Sequence, residues 1–258
     1  MKRTKGINPA RLLQALFTAL LAACTASSGL CREPSFDPAD YDKIPPEYHD
    51  RVSTVVRFPT IYKKAPVPPF ESSIRAYEFL LADLSLASKL ARSAGISKYV
   101  VERQPEGLKV TDEAGIEGVL YPMYEEAGRR LYYAEGTCDA RGLPKLTGKG
   151  VMEIAFHLTD DGKVENRVKI WVKLDSKVFG LLGKVLFPVV GRLVKGKTGA
   201  LGSAAQTLSE RFHSETEAMY ETLEKSGLGT EEELARLKRF VEDSRAASRS
   251  PAPQLPGD

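Results

Sequence analysis

The sequence predicts an α+β fold in which one curved antiparallel sheet packs against helices, and three observations predict it. Two long segments alternate with period two. Met152, Ile154, Phe156 and Leu158 interleave with Glu153 and His157, and Val168, Ile170, Val172 and Leu174 interleave with Arg167, Lys169, Trp171 and Lys173. Such alternation sets one strand face on a core and the other toward water, and Asp161-Gly162 between the segments is a hairpin signal. Helical spacing recurs on both sides of the strand-rich block, through Ile74, Tyr77, Leu80, Leu81, Leu84, Ala87, Leu90 and Ala91, and again through Leu201, Ala205, Leu208, Phe212, Met219 and Leu223. Within the block, Gly107, Ala127-Gly128 and Asp161-Gly162 mark tight turns of the kind that join antiparallel neighbours.

Taken in order, the β-branched run over 52–57, ended by Pro59, predicts a first strand. Pro66 to Pro69 predicts a turn or linker. Helical periodicity over 72–94 is divided where Asp83 can cap a second helix, and Gly95 suits the left-handed stop. Strands are expected near 97–104, 107–112, 116–125, 129–136, 149–159 and 164–175. A short apolar helix over 178–194, kinked at Pro188, precedes a weak point at 196–202 and a long helix over 201–223 that ends at Gly227 and Gly229. Thr230-Glu231-Glu232-Glu233 reads as a capping box. It opens an extra helix, within 228–247, with Leu234, Leu237, Phe240 and Val241 on one face. Residues 248–258, with Pro251, Pro253 and Pro256, read as a disordered tail.

The first 23 residues have the anatomy of an export signal. Lys2, Arg3, Lys5 and Arg11 precede an apolar stretch of about a dozen residues, too short to span a bilayer comfortably. The stretch ends in Leu21-Ala22-Ala23-Cys24, which resembles the lipobox of bacterial lipoproteins. The resemblance implies acylation of Cys24 as the mature N-terminus and a cell-envelope address. Thr25 is not the Asp associated with inner-membrane retention, so the implied site is the outer membrane facing the periplasm. The formal charge of +3 includes those four basic leader residues, which leaves −1 after their removal. No basic footprint for nucleic acid remains. Residues 24–50, rich in Ser, Pro and Asp, read as a flexible tether. With Cys24 lipidated, Cys31 and Cys138 are left, and an oxidising compartment permits either a disulfide or two separate thiols. His49, His157 and His213 are scattered, and no Cys/His spacing resembles a metal-ligand set.

The order of one strand, two helices, six antiparallel strands and a long helix, over about 51–227, resembles the helix-grip fold of the START and Bet v 1-like (SRPBCC) superfamily. Two features depart from it: the Pro188 and glycine interruptions of the terminal helix, and the additional helix after it. The resemblance implies a hydrophobic small molecule or lipid held between sheet and helix. Tyr121, Met123, Tyr133, Met152, Ile154, Phe156, Ile170 and Val172 are then candidate lining residues, with Phe187 on a lid. Lys184, Arg192, Lys195 and Lys197 around an apolar helix are candidates for membrane or headgroup contact, or are a solvated face. No catalytic residues and no cofactor are assigned: Glu117, Glu125, Glu135 and Glu153 read as a solvated sheet face, and no nucleophile elbow or phosphate loop occurs. Three functions stay open. The first is a lipid-anchored carrier, sensor or store of a hydrophobic ligand. The second is an envelope scaffold whose last helix docks a protein partner. The third is a cyclase- or hydrolase-like enzyme.

Overall fold

The computed structural model describes residues 36, 38–113, 115–139, 145–175, 196 and 199–249. The described chain opens with two 3₁₀ turns, Pro38–Lys43 and Pro46–Tyr48, and helix α1, His49–Arg57. Then follow strand β1, Ile61–Phe70, helices α2, Ile74–Ala82, and α3, Leu84–Ser93, and strands β2, Val100–Gln104, β3, Gly107–Thr111, β4, Ile116–Glu126, β5, Arg129–Cys138, β6, Leu146–Leu158, and β7, Val164–Leu174. Helices α4 over 199–214, α5, Thr216–Ser226, and α6, Glu231–Arg249, complete the described chain. The fold is α+β: a seven-stranded antiparallel sheet in the order β1-β7-β6-β5-β4-β3-β2, with C-terminal helices.

Two N-terminal expectations are corrected. Residues 52–57 form helix, not strand, because Val52, Val55 and Val56 recur at i, i+3 and i+4 and are all buried on one helical face. Strand β1 runs instead through the proline-rich segment read as a turn. It lies at the sheet edge, where missing N–H groups are tolerated, and its register to β7 shifts between Val67 and Phe70, around Pro68 and Pro69. Within the segment read as a tether, Pro38–Lys43 and Pro46–Tyr48 form 3₁₀ turns and α1 begins at His49.

The remaining elements follow their sequence signals. Ser73 caps α2 through the Ala76 N–H, and Asp83 caps α3 through the Leu86 N–H, dividing the two helices as expected. Gly95 takes φ +68° behind α3. The predicted helix over 201–223 is broken at Glu215, and α5 ends on Gly227 in the left-handed conformation. The capping box forms: Thr230 Oγ1 accepts from the Glu233 N–H, and Glu233 accepts from the Thr230 N–H.

Two large buried clusters stand out among the described residues. Ala76, Leu80, Leu86, Leu90 and Ala91 of α2 and α3 pack against Leu208, Phe212, Met219, Leu223, Leu237 and Phe240 of α4 to α6. Phe79, Phe212 and Phe240 stack at its centre, with Phe79 and Phe240 4.4 Å apart between centroids. The apolar face of α6 is therefore spent inside the molecule, and Glu233 of its acidic start pairs with Lys89 at 2.7 Å. A protein partner would have to use the polar outer face of that helix. The second lies on the inner sheet face, where Phe70, Tyr77, Leu81, Tyr132, Ile154, Phe156 and Val164 cluster.

The outer sheet face is not open to water as simple alternation suggests. Helix α1 packs on β6 and β7, and Tyr133, Val151 and Trp171, aligned across β5, β6 and β7, are fully buried. Below them Arg129 makes a two-point contact with Asp40 at 2.6 and 2.7 Å and a 2.9 Å contact with Glu153, which Lys169 also reaches at 2.9 Å. Asp40 and Glu153 are almost wholly buried, so these ion pairs fix the first 3₁₀ turn to the sheet.

Candidate functional site

The inner face is a surface of unusually small residues. Strand register aligns Gly118, Gly136 and Gly148 across β4, β5 and β6, and Ala134 beside Gly150 in the next inner row. Backbones approach closely in the first row: a Cβ on Gly136 would lie 2.7 Å from the Glu117 carbonyl oxygen, and one on Gly118 would lie 2.6 Å from that of Glu135. Close approach of this kind lets a sheet coil strongly, and it leaves no side chains standing above the row. Around this bare floor Leu120, Met152, Ile170 and Val172 are half-buried, on the same face by register.

Of the sequence-derived lining residues, Met152, Ile154, Phe156, Ile170 and Val172 share this inner face. Tyr121 and Tyr133 oppose each other on the outer face, in contact with Tyr48 just ahead of α1 at 5.5 and 5.8 Å. Met123 is buried at the register irregularity between Pro122 and Tyr124. Phe187, Lys184, Arg192, Lys195 and Lys197 lie outside the described residues, as do Cys24 and Cys31. Cys138 is half-buried at the end of β5, next to Ile61 and Leu146. Glu117, Glu135 and Glu153 fall on the outer face by register, each within 4 Å of a lysine. His157 is exposed and lies 3.8 Å from Glu165.

Sequence reasoning missed the polar part of the inner face. Tyr132 pairs with Met152, Arg130 with Ile154 and Asn166 with Phe156, so all three stand on the inner side. All three are buried. Asn166 Nδ2 donates to the Tyr77 hydroxyl at 2.5 Å. Arg130 donates to the Arg129 and Glu126 carbonyls, and Glu125 Oε2 lies 3.9 Å from its Nε. The Tyr132 hydroxyl, the Arg130 Nε and the Asn166 Oδ1 have no hydrogen-bond partner among the described residues. Buried orphans of this kind cost free energy and call for a specific explanation. Burial, with the Glu125 charge adding to it, pushes the Tyr132 phenol well above its ordinary range, and burial does the same at Tyr77. Both are neutral hydroxyls at physiological pH. Alternation within the strand does not single them out; the pairing of Tyr132 with Met152 is what separates it from Tyr133.

Tyr132 also lines a hollow of about 270 Å³ beneath the β2–β3 turn. Leu81, Leu84, Leu108 and Pro122 line its apolar part, and Arg103, Gln104, Glu106 and Glu125 supply polar groups. The hollow adjoins the bare floor, because Tyr132 is paired to Met152 and Leu108 to Leu120.

No family model matches the chain, and no curated protein matches it. Among solved structures, the chain is similar to a conserved protein from Geobacillus kaustophilus (10% identity, 58% of this chain and 97% of that one, TM-score 0.42). It is also similar to the di-domain ARO/CYC BexL from the BE-7585A biosynthetic pathway (14%, 80% and 60%, TM-score 0.44) and to Ara h 8.0201 (13%, 57% and 95%, TM-score 0.37). These likenesses are too distant to carry function. The fold class rests on the chain's own sheet order and packing.

Proposed function

We propose that this protein binds a hydrophobic small molecule or lipid on the inner face of its sheet, in carriage, sensing or storage, without covalent chemistry. The observation that carries the reading is the bare floor of Gly118, Gly136, Gly148, Ala134 and Gly150, edged by half-buried Leu120, Met152, Ile170 and Val172. A curved apolar surface without side chains of its own is suited to an apolar guest. We further propose that Cys24 carries the lipid anchor and that the protein works in the cell envelope, at the outer membrane facing the periplasm. The leader and the Leu21-Ala22-Ala23-Cys24 motif support this address, and among the described residues no helix is long and apolar enough to cross a membrane.

One pair of variants of the full chain tests both parts. Cys24→Ser should move the protein from the membrane fraction to the soluble envelope fraction. Gly150→Leu should reduce severalfold the apolar material that organic solvent extracts from the purified protein, since a Cβ there meets only ordinary contacts among the described residues, the nearest at 3.5 Å. Unchanged fractionation contradicts the anchor, and unchanged extracts contradict the binding surface.

A further inference from the structure

We propose that the hollow beneath the β2–β3 turn seats the polar end of the ligand, and that this end is an uncharged hydroxyl, making the ligand an apolar alcohol or phenol and not an anionic lipid. The inference rests on the ligand-binding reading above and adds to it a second subsite and a chemical class.

Position is the first argument. The hollow continues the bare floor through the Tyr132–Met152 and Leu108–Leu120 pairs, so a molecule lying along the floor has one end at Tyr132. At about 270 Å³ the hollow holds part of a ligand and not a whole one.

Hydrogen bonding is the second. The Tyr132 hydroxyl is buried in a residue only 1% exposed and has no partner among the described residues. An O–H donates once and accepts as well. Glu125, in the same lining, is a pure acceptor when ionised. A ligand hydroxyl matches this pair, accepting from Tyr132 and donating to Glu125. A carboxylate or phosphate could take only the first bond and would face the Glu125 charge.

Charge is the third. Among the described residues Arg103 is the cation of the lining, and it lies 3.7 Å from buried Asp83, which Arg236 also contacts. Arg130 behind Tyr132 donates through Nη1 to two backbone carbonyls, and the Glu125 carboxylate 3.9 Å from its unpartnered Nε offsets its charge. Glu106 and Glu125 outnumber Arg103 among the described lining residues. An anionic head would be repelled.

The test uses the full chain with two fluorescent probes that share an apolar body, 1-pyrenebutanol and 1-pyrenebutyrate, titrated against wild type, Tyr132→Phe, Glu125→Leu and Gly150→Leu. Tyr132→Phe removes a hydroxyl that has no partner among the described residues, so it should leave the fold intact by circular dichroism. The expected result is that the alcohol binds at least about tenfold more tightly than the carboxylate. Tyr132→Phe should weaken the alcohol roughly fivefold to tenfold, the worth of one neutral hydrogen bond. Glu125→Leu should narrow the preference, and Gly150→Leu should weaken both probes. If both probes bind equally, lose affinity in Gly150→Leu and ignore Tyr132→Phe, the polar subsite is overturned while the binding surface stands. If neither probe binds, the binding surface itself is overturned.

Discussion

Asp83 shows how much one side chain carries here. Burial works against its charge, but hydrogen bonds from Arg236 and the Leu86 N–H, with the charges of Arg236 and Arg103, outweigh that penalty and hold its carboxyl below the ordinary value of 3.8. A carboxyl depressed by folding contributes stability that is complete above its unfolded pKa and is lost as pH falls through the folded one. Asp83→Ala should therefore cost about 1–2 kcal/mol at pH 7, from the lost cap and ion pair. The deficit should narrow as pH falls below about 3.8. Urea unfolding at pH 7, 5 and 3 reads this directly, and a deficit constant across the series would contradict it. At this scale the sequence was legible where a residue acts locally. Asp83, Gly95 and the Thr230/Glu233 capping box were each identified from their immediate neighbours. Residues that act across the sheet were not. Tyr132 and Tyr133 are adjacent and chemically identical, and only strand register sends the first to the inner face and the second outward.

Among elements, the six C-terminal strands were read nearly to their boundaries, because alternation and turn glycines agree there. The N-terminal elements were misread because composition and spacing disagree. Val52, Val55 and Val56 are strand-favouring residues at helical spacing, and burial against β6 and β7 decides for the helix. Prolines that usually stop a strand are accommodated in β1 by its place at the edge. The outer face was misjudged for a related reason. Trp171 and Val151 sit in the polar phase of their strands, and they mark a face that α1 covers. The glycine row is also an element-scale feature, visible only once β4, β5 and β6 are paired. Its members should differ in tolerance. Gly136→Ala should destabilise by about 1–3 kcal/mol, because its Cβ would meet backbone at 2.7 and 3.0 Å. Gly150→Ala should be nearly neutral, with nothing nearer than 3.5 Å. Thermal melts of the two variants compare them, and equal losses would contradict the close-approach account.

Across the whole molecule, the sheet divides two tasks. Its outer face is covered by α1 and by the Asp40–Arg129–Glu153–Lys169 ion pairs, which fix the first 3₁₀ turn to β5, β6 and β7. Its inner face is packed by α2 and α3 at the Tyr77–Phe156 end and is built of small residues at the other. The α+β class and the succession of the six C-terminal strands were legible because local periodicity and turn glycines mark them. The division of faces was not, because it depends on which segment of chain covers each side. The claim that joins these levels is that the inner face carries a guest. Native mass spectrometry of the full chain, purified from a membrane-containing host and compared with Gly150→Leu, measures it most directly. The account predicts a stoichiometric apolar adduct on the wild-type chain that is diminished in the variant and carries a hydroxyl. A wild-type chain with no adduct, and no mass gained on adding 1-pyrenebutanol, would contradict it.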